Sequence, residues 1–177
     1  MTKFFFPLLI ACFLSILETS FFASFQGIFR FTPFVFALSV YLLQHHGITT
    51  ATSWMIVHGL FLDTFHYGTT PFVTIAYTVA AGIAFLLAKN VFSNRSFYGI
   101  ISCALLSYAC FTVMVFFLSL FQNIKAKQSI FSTEILLEIW MRTFTLFLFL
   151  VLLFISAKHI RRVLIKLFLI PQSRQTF

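Results

Sequence analysis

Six apolar runs, separated by short polar breaks, organise the chain. The first, Phe4 to Phe25, makes about 33 Å of helix, enough to cross a bilayer. It is too long for the apolar part of a signal peptide, it carries Glu18, and it has no clear small-x-small cleavage site, so it reads as a span. The second, Phe31 to Gln44, has Pro33 placed for the first turn of a helix. At about 20 Å it is short, so it thins the bilayer, enters incompletely or lies mostly against protein. Ile48 to Phe65, Phe72 to Ala88, Phe97 to Phe121 and Glu134 to Ala157 complete the set. The predicted architecture is all-α: one integral membrane domain over residues 1–177, a polytopic bundle of about six transmembrane helices, with a basic tail over 158–177. No connection is long enough to hold a catalytic or nucleotide-binding module, and no P-loop, other glycine-rich phosphate loop or GxSxG is present.

Composition strengthens the membrane assignment. Of 177 residues, 60% are hydrophobic and 9% charged, and the mean hydropathy is +1.01. A soluble domain of this length could not cover so much apolar surface with so few charges. The formal charge of +8 suggests nucleic acid at first sight. The basic residues sit at the ends of the runs, however, where they set topology and meet anionic lipid, so nucleic acid is excluded as a partner. Six spans put both termini on one side, with Lys3, Lys89, Arg95, Lys158, Arg161, Arg162, Lys166 and Arg174. The other side has Arg30, Lys125 and Lys127. The excess makes both termini cytoplasmic. In the tail, Ile160, Val163, Leu164, Leu167 and Phe168 share one side while Arg161, Arg162 and Lys166 lie elsewhere on the wheel. Together with Lys158 these form a basic lipid-facing helix or a continuation of the sixth.

The chemistry rests on four carboxylates. Glu18, inside the first run near Ser15 and Thr19, is expected to be satisfied by an interior hydrogen bond; a ligand or proton site is the sharper alternative. Glu134, Glu138 and Arg142 follow at i, i+4 and i+8, which stacks them on one face and lets Arg142 pair with Glu138. Asp63 shares a face with Gly59, and His66 and Tyr67 lie within its reach. A carboxylate is unfavourable at the C-terminal end of its own helix, so it needs donors. The backbone of the Tyr67–Thr70 turn is the first expectation, and an arginine from another span the second.

Small residues recur every fourth position at Ala76, Ala80, Ala84 and Ala88, and again at Gly99, Cys103 and Ser107. This spacing lets helices approach closely, either inside the bundle or against a partner helix. His45-His46 reads as an interfacial turn, since adjacent histidines share no helix face. Cys12, Cys103 and Cys110 read as free thiols. No metal or other cofactor is expected, and no convincing nucleophile–base pair points to an enzyme.

From about Ile16 to Leu87 the chain resembles the rod shape-determining membrane protein MreD family. The residues that carry the resemblance are the Glu18-Thr19-Ser20 step ending the first span, Pro33 opening the second, and Gly59-Leu60-Phe61-Leu62-Asp63 followed by Gly68. The chain departs from the family in having Phe34 after Pro33, where Asp is common. The resemblance implies a non-enzymatic scaffold of the bacterial cell-elongation machinery in the cytoplasmic (inner) membrane. Its implied partners are an MreC-like membrane protein, a RodA-type glycosyltransferase, a class B penicillin-binding protein and an MreB-like filament. The family is similar in architecture to the substrate-binding subunits of energy-coupling-factor vitamin transporters, which makes that role the alternative.

Overall fold

In the computed structural model the described residues are 2–22, 24, 27–45, 48–65, 71–92, 96–126 and 133–168; side chains are described within 7–24, 27–44, 49–65, 71–92, 96–120 and 136–159. The described elements are all helical. They are α1 (Thr2–Ile16), which runs into a π-helical turn Leu17–Phe22, a 3-10 turn Ile28–Phe31, α2 (Phe34–His45), α3 (Ile48–Phe65), α4 (Phe72–Asn90), α5 (Phe97–Ala126) and α6 (Thr133–Phe168). Three are long and apolar enough to cross a membrane: Phe72–Asn90, Phe97–Leu120 and Leu136–His159. Pro7–Phe22 and Phe34–Gln44 are shorter apolar helices, and α3 begins with Thr49, Thr50, Thr52 and Ser53, which dilute its apolar character.

The short second helix is the centre of the bundle. No residue of α2 from Phe34 to Gln44 is exposed, and Val35, Phe36, Ala37 and Val40 are fully buried. Helix α2 packs on α3, α4, α5 and α6. Of the options open to a 20 Å run, lying mostly against protein is the one adopted: six of its residues are buried and Phe34, Leu38, Tyr41, Leu42 and Gln44 are part-buried, which relaxes the need to match bilayer thickness. Pro33 sits one residue ahead of the helix, and its carbonyl accepts the first helical bond from Ala37 at 3.1 Å.

The most extensive packing joins α3 to α4 and α4 to α5. Ala76, Ala80 and Ala84 are fully buried in the common core, so this alanine stripe serves internal packing. The Sγ of Cys103 on α5 donates to the carbonyl of Ala84 at 3.5 Å. The core is closed by a ring cluster of Phe36, Tyr77, Tyr108 and Phe111, with centroids 4.5–6.3 Å apart. Gly59 has a steric role as well: a Cβ there would lie 2.8 Å from the Cα of Thr74 on α4. Only glycine lets these two backbones meet this closely.

Helix α6 is a single 36-residue helix that carries the sixth run into the tail, so the continuation expected as one option is the one formed. It contributes Leu146 and Leu150 to the core. Leu136, Leu137, Trp140, Phe144, Leu148, Leu152 and Ile155 are exposed on it. Cys12, Cys103 and Cys110 are free thiols.

Candidate functional site

Glu18 projects from the π-turn at the end of α1. Its Oε2 accepts the backbone N–H of Val35 at 2.6 Å. Val35 lies in the first turn of α2, where N–H groups lack intrahelical partners and a negative charge is favoured. The other carboxylate oxygen, Oε1, is 3.4 Å from Nε2 of His58. The Nδ1 of that histidine is 3.0 Å from Oγ of Ser15, and Tyr77 meets the imidazole edge-on at 5.2 Å. Nε2 approaches Glu18 without hydrogen-bond geometry and has no hydrogen-bond partner among the described residues, so the contact with the carboxylate is one of proximity. The interior hydrogen bond expected for Glu18 is present. The π-turn widens the helix by one residue where Ser15 and Glu18 are aimed at the same ring.

Serine, histidine and a carboxylate together have the composition of a nucleophilic triad. Ser15 and His58 are, however, both 0% exposed, and Glu18 is engaged by the α2 backbone. The arrangement therefore joins α1, α2 and α3 through polar contacts in the bundle interior. His58 is the member that sequence reasoning passed over. Its signal was an ionisable side chain within an apolar helix, which needs a partner when buried.

Asp63 makes a second junction. Its Oδ1 accepts the N–H of Val73 at 3.1 Å. Its Oδ2 accepts both the N–H of Thr74, at 2.7 Å, and the Thr74 hydroxyl. The carboxylate thus caps the first turn of α4. The expected donors were the turn backbone over 67–70 or an arginine. The residues 66–70, Gly68 among them, lie outside the described set. The donors found come three residues later, because α4 starts at Phe72 and its unpaired N–H groups point back at α3. Gly59, one turn before Asp63, lets the helices close enough for this contact. Leu60 of the same motif is exposed on the outside of α3.

The third site is on α6. Arg142 donates from Nε and Nη2 to Oε1 of Glu138, at 3.0 and 2.7 Å, with both side chains nearly half exposed. The side chain of Glu134 lies outside the described set. Arg30, in the 3-10 turn, comes to the same place, and with Phe31, Leu137, Glu138, Met141 and Arg142 it lines an open groove of about 350 Å³. The turn is tied down by Thr145, whose hydroxyl donates to the carbonyl of Phe31 at 3.1 Å. Lys158 is exposed on α6; Arg161, Arg162 and Lys166 are on the same helix, with side chains outside the described set.

The three carboxylates whose side chains are described, those of Glu18, Asp63 and Glu138, therefore do not converge. Glu18 and Asp63 each close a helix junction, and Glu138 lines a separate groove. Among the described residues no three histidine, cysteine or acidic side chains gather as metal ligands. Fold and site together define an all-α bundle whose inner polar groups tie helices together and whose open polar groove is on its last helix. Comparison with protein-family models, curated proteins and solved structures finds no match.

Proposed function

We propose that this is a multi-pass protein of the bacterial cytoplasmic membrane, with both termini cytoplasmic, that acts as a non-enzymatic scaffold of the cell-elongation, peptidoglycan-synthesising machinery. The resemblance to MreD carries the biological setting, and an MreC-like membrane protein is the first partner it implies. One structural observation supports a scaffold: α6 gives only part of its length to the core and leaves Leu136, Trp140, Leu148 and Leu152 exposed. In lipid, such a face is available to another transmembrane helix, with affinity from close packing. The polar groups inside the bundle also support it, since they are used in holding helix ends together. The basic residues Lys158, Arg161, Arg162 and Lys166 lie toward the cytoplasmic end of α6, where anionic lipid attracts them.

The test is co-expression of the full chain with an MreC-like protein and recovery of both from detergent-solubilised membranes. Asp63→Ala and Trp140→Ala should each reduce the recovered partner. No complex with the wild-type chain, or unchanged recovery with both folded variants, rejects the scaffold.

The groove beside Arg30 favours a second reading, a substrate-binding subunit of an energy-coupling-factor vitamin transporter. A stoichiometric vitamin-like ligand carried through purification would select this reading over the first.

A further inference from the structure

We propose that the groove between the 3-10 turn and α6 binds the phosphate headgroup of an anionic membrane lipid, with Arg30 as the principal cation. The inference rests on the membrane topology proposed above, and its readout, lipid retention by the chain without a partner, is separate from the test of the scaffold role.

Among the described side chains the charges of this groove do not balance. Two guanidinium groups, Arg30 and Arg142, face one carboxylate, Glu138. Glu138 is engaged by two nitrogens of Arg142. Arg30 is exposed and has no carboxylate partner among the described residues. Among the described side chains one unit of positive charge is left, carried by a guanidinium whose planar fork matches phosphate oxygens. Arg30 also sits where the positive-inside rule gives no reason for it, on the side with the fewer basic residues.

The walls and depth favour a lipid over a free anion. Phe31, Leu137 and Met141 supply apolar surface within the groove. Leu136, Leu137 and Trp140 extend that surface along the outside of α6. Among the described residues, Arg142 lies toward the N-terminal end of the apolar stretch Leu136–His159. The groove thus opens at the level where headgroups give way to acyl chains. A phosphodiester there meets Arg30 while its glycerol and upper chain cover the apolar walls. The groove is also held ready: Thr145 fixes the Phe31 carbonyl to α6, so binding requires little ordering.

The experiment is native mass spectrometry of the purified full chain in detergent, titrated in parallel with phosphatidylglycerol, phosphatidylcholine and inorganic phosphate. The expected result is preferential retention of phosphatidylglycerol, reduced about three- to tenfold by Arg30→Gln, as befits loss of one charge-assisted contact. Arg30 is exposed and outside the core, and an unchanged melting temperature verifies the fold of the variant. A Lys158→Gln/Arg161→Gln/Arg162→Gln/Lys166→Gln variant should retain the Arg30-dependent part. Equal retention of the two lipids, an unaltered preference in Arg30→Gln, or a preference abolished by the tail variant alone overturns the proposal. Displacement of the lipid by inorganic phosphate at similar concentration also overturns it, assigning the groove to a soluble anion.

Discussion

Asp63 and Thr74 are joined twice, since the carboxylate of the first accepts both the backbone N–H and the hydroxyl of the second. Asp63 lies near the C-terminus of α3, where the helix dipole disfavours a negative charge. The same carboxylate lies at the N-terminus of α4, where the dipole favours it and three donors converge. The second effect offsets the first, and the α3–α4 hairpin is closed by it.

Asp63→Ala should therefore lower stability by about 1–3 kcal/mol, the range for losing a cap with charge-assisted bonds. Asp63→Asn, which keeps an acceptor but no charge, should fall between it and the wild type. Thermal unfolding of the purified protein in detergent measures both. Identical melting temperatures for all three proteins would remove Asp63 from this role.

Gly59→Ala should be destabilising by about 1–3 kcal/mol, because the added methyl group meets backbone at 2.8 Å rather than a movable side chain. Gly82→Ala is the matched control, since its Cβ would find no atom within 4 Å. That substitution should be neutral or add up to about 1 kcal/mol through helix propensity. Equal melting temperatures for the two variants would contradict the close approach of α3 and α4.

The part-buried and the exposed carboxylate should respond differently. Glu18→Ala leaves the Val35 N–H without its acceptor and His58 without its neighbouring carboxylate, a loss of about 2 kcal/mol or more. Glu138→Ala breaks an ion pair whose side chains are 46% and 47% exposed, which is worth about 0.5 kcal/mol. The order of the two melting temperatures is the readout, and Glu138→Ala falling below Glu18→Ala would refute the assignment.

Orientation of α6 can be checked by neighbouring leucines. Leu146 is fully buried, while Leu148 is 40% exposed. Leu146→Ala should cost about 2–3 kcal/mol through the cavity it leaves. Leu148→Ala should change stability little and instead affect association with a partner helix. A larger thermal shift from Leu148→Ala would mean that α6 is turned the other way.

The run lengths and polar breaks located the start of every helix to within a few residues, while α5 and α6 run on past the predicted ends, to Ala126 and Phe168. Ile48 to Phe65 is α3 at both ends, because helix-compatible apolar sequence and its breaks are local properties. The i, i+4 pairing of Glu138 with Arg142 was legible for the same reason. The alanine stripe was legible as a packing face, but whether that face lay inside or outside the bundle was not. Nor did the sequence separate the ways a short second run can be accommodated, since its central position depends on the other helices closing around it.

Carboxylate partners were the part decided in three dimensions. Hydrophobic periodicity places Glu18, His58 and Val35 on three different helices, with nothing to say that they meet. Their contact depends on a π-turn and on how α1 and α3 pack around the start of α2. Sequence likewise marked Asp63 as needing donors, on electrostatic grounds, without fixing where the next helix would begin. By itself the sequence determined an all-helical, strongly apolar chain with a handful of charges that had to be satisfied. Only the tertiary structure decided that the inner carboxylates would be satisfied by the free N–H groups of neighbouring helices, because hydrogen bonds across 10 or 17 residues exist only once those helices are packed.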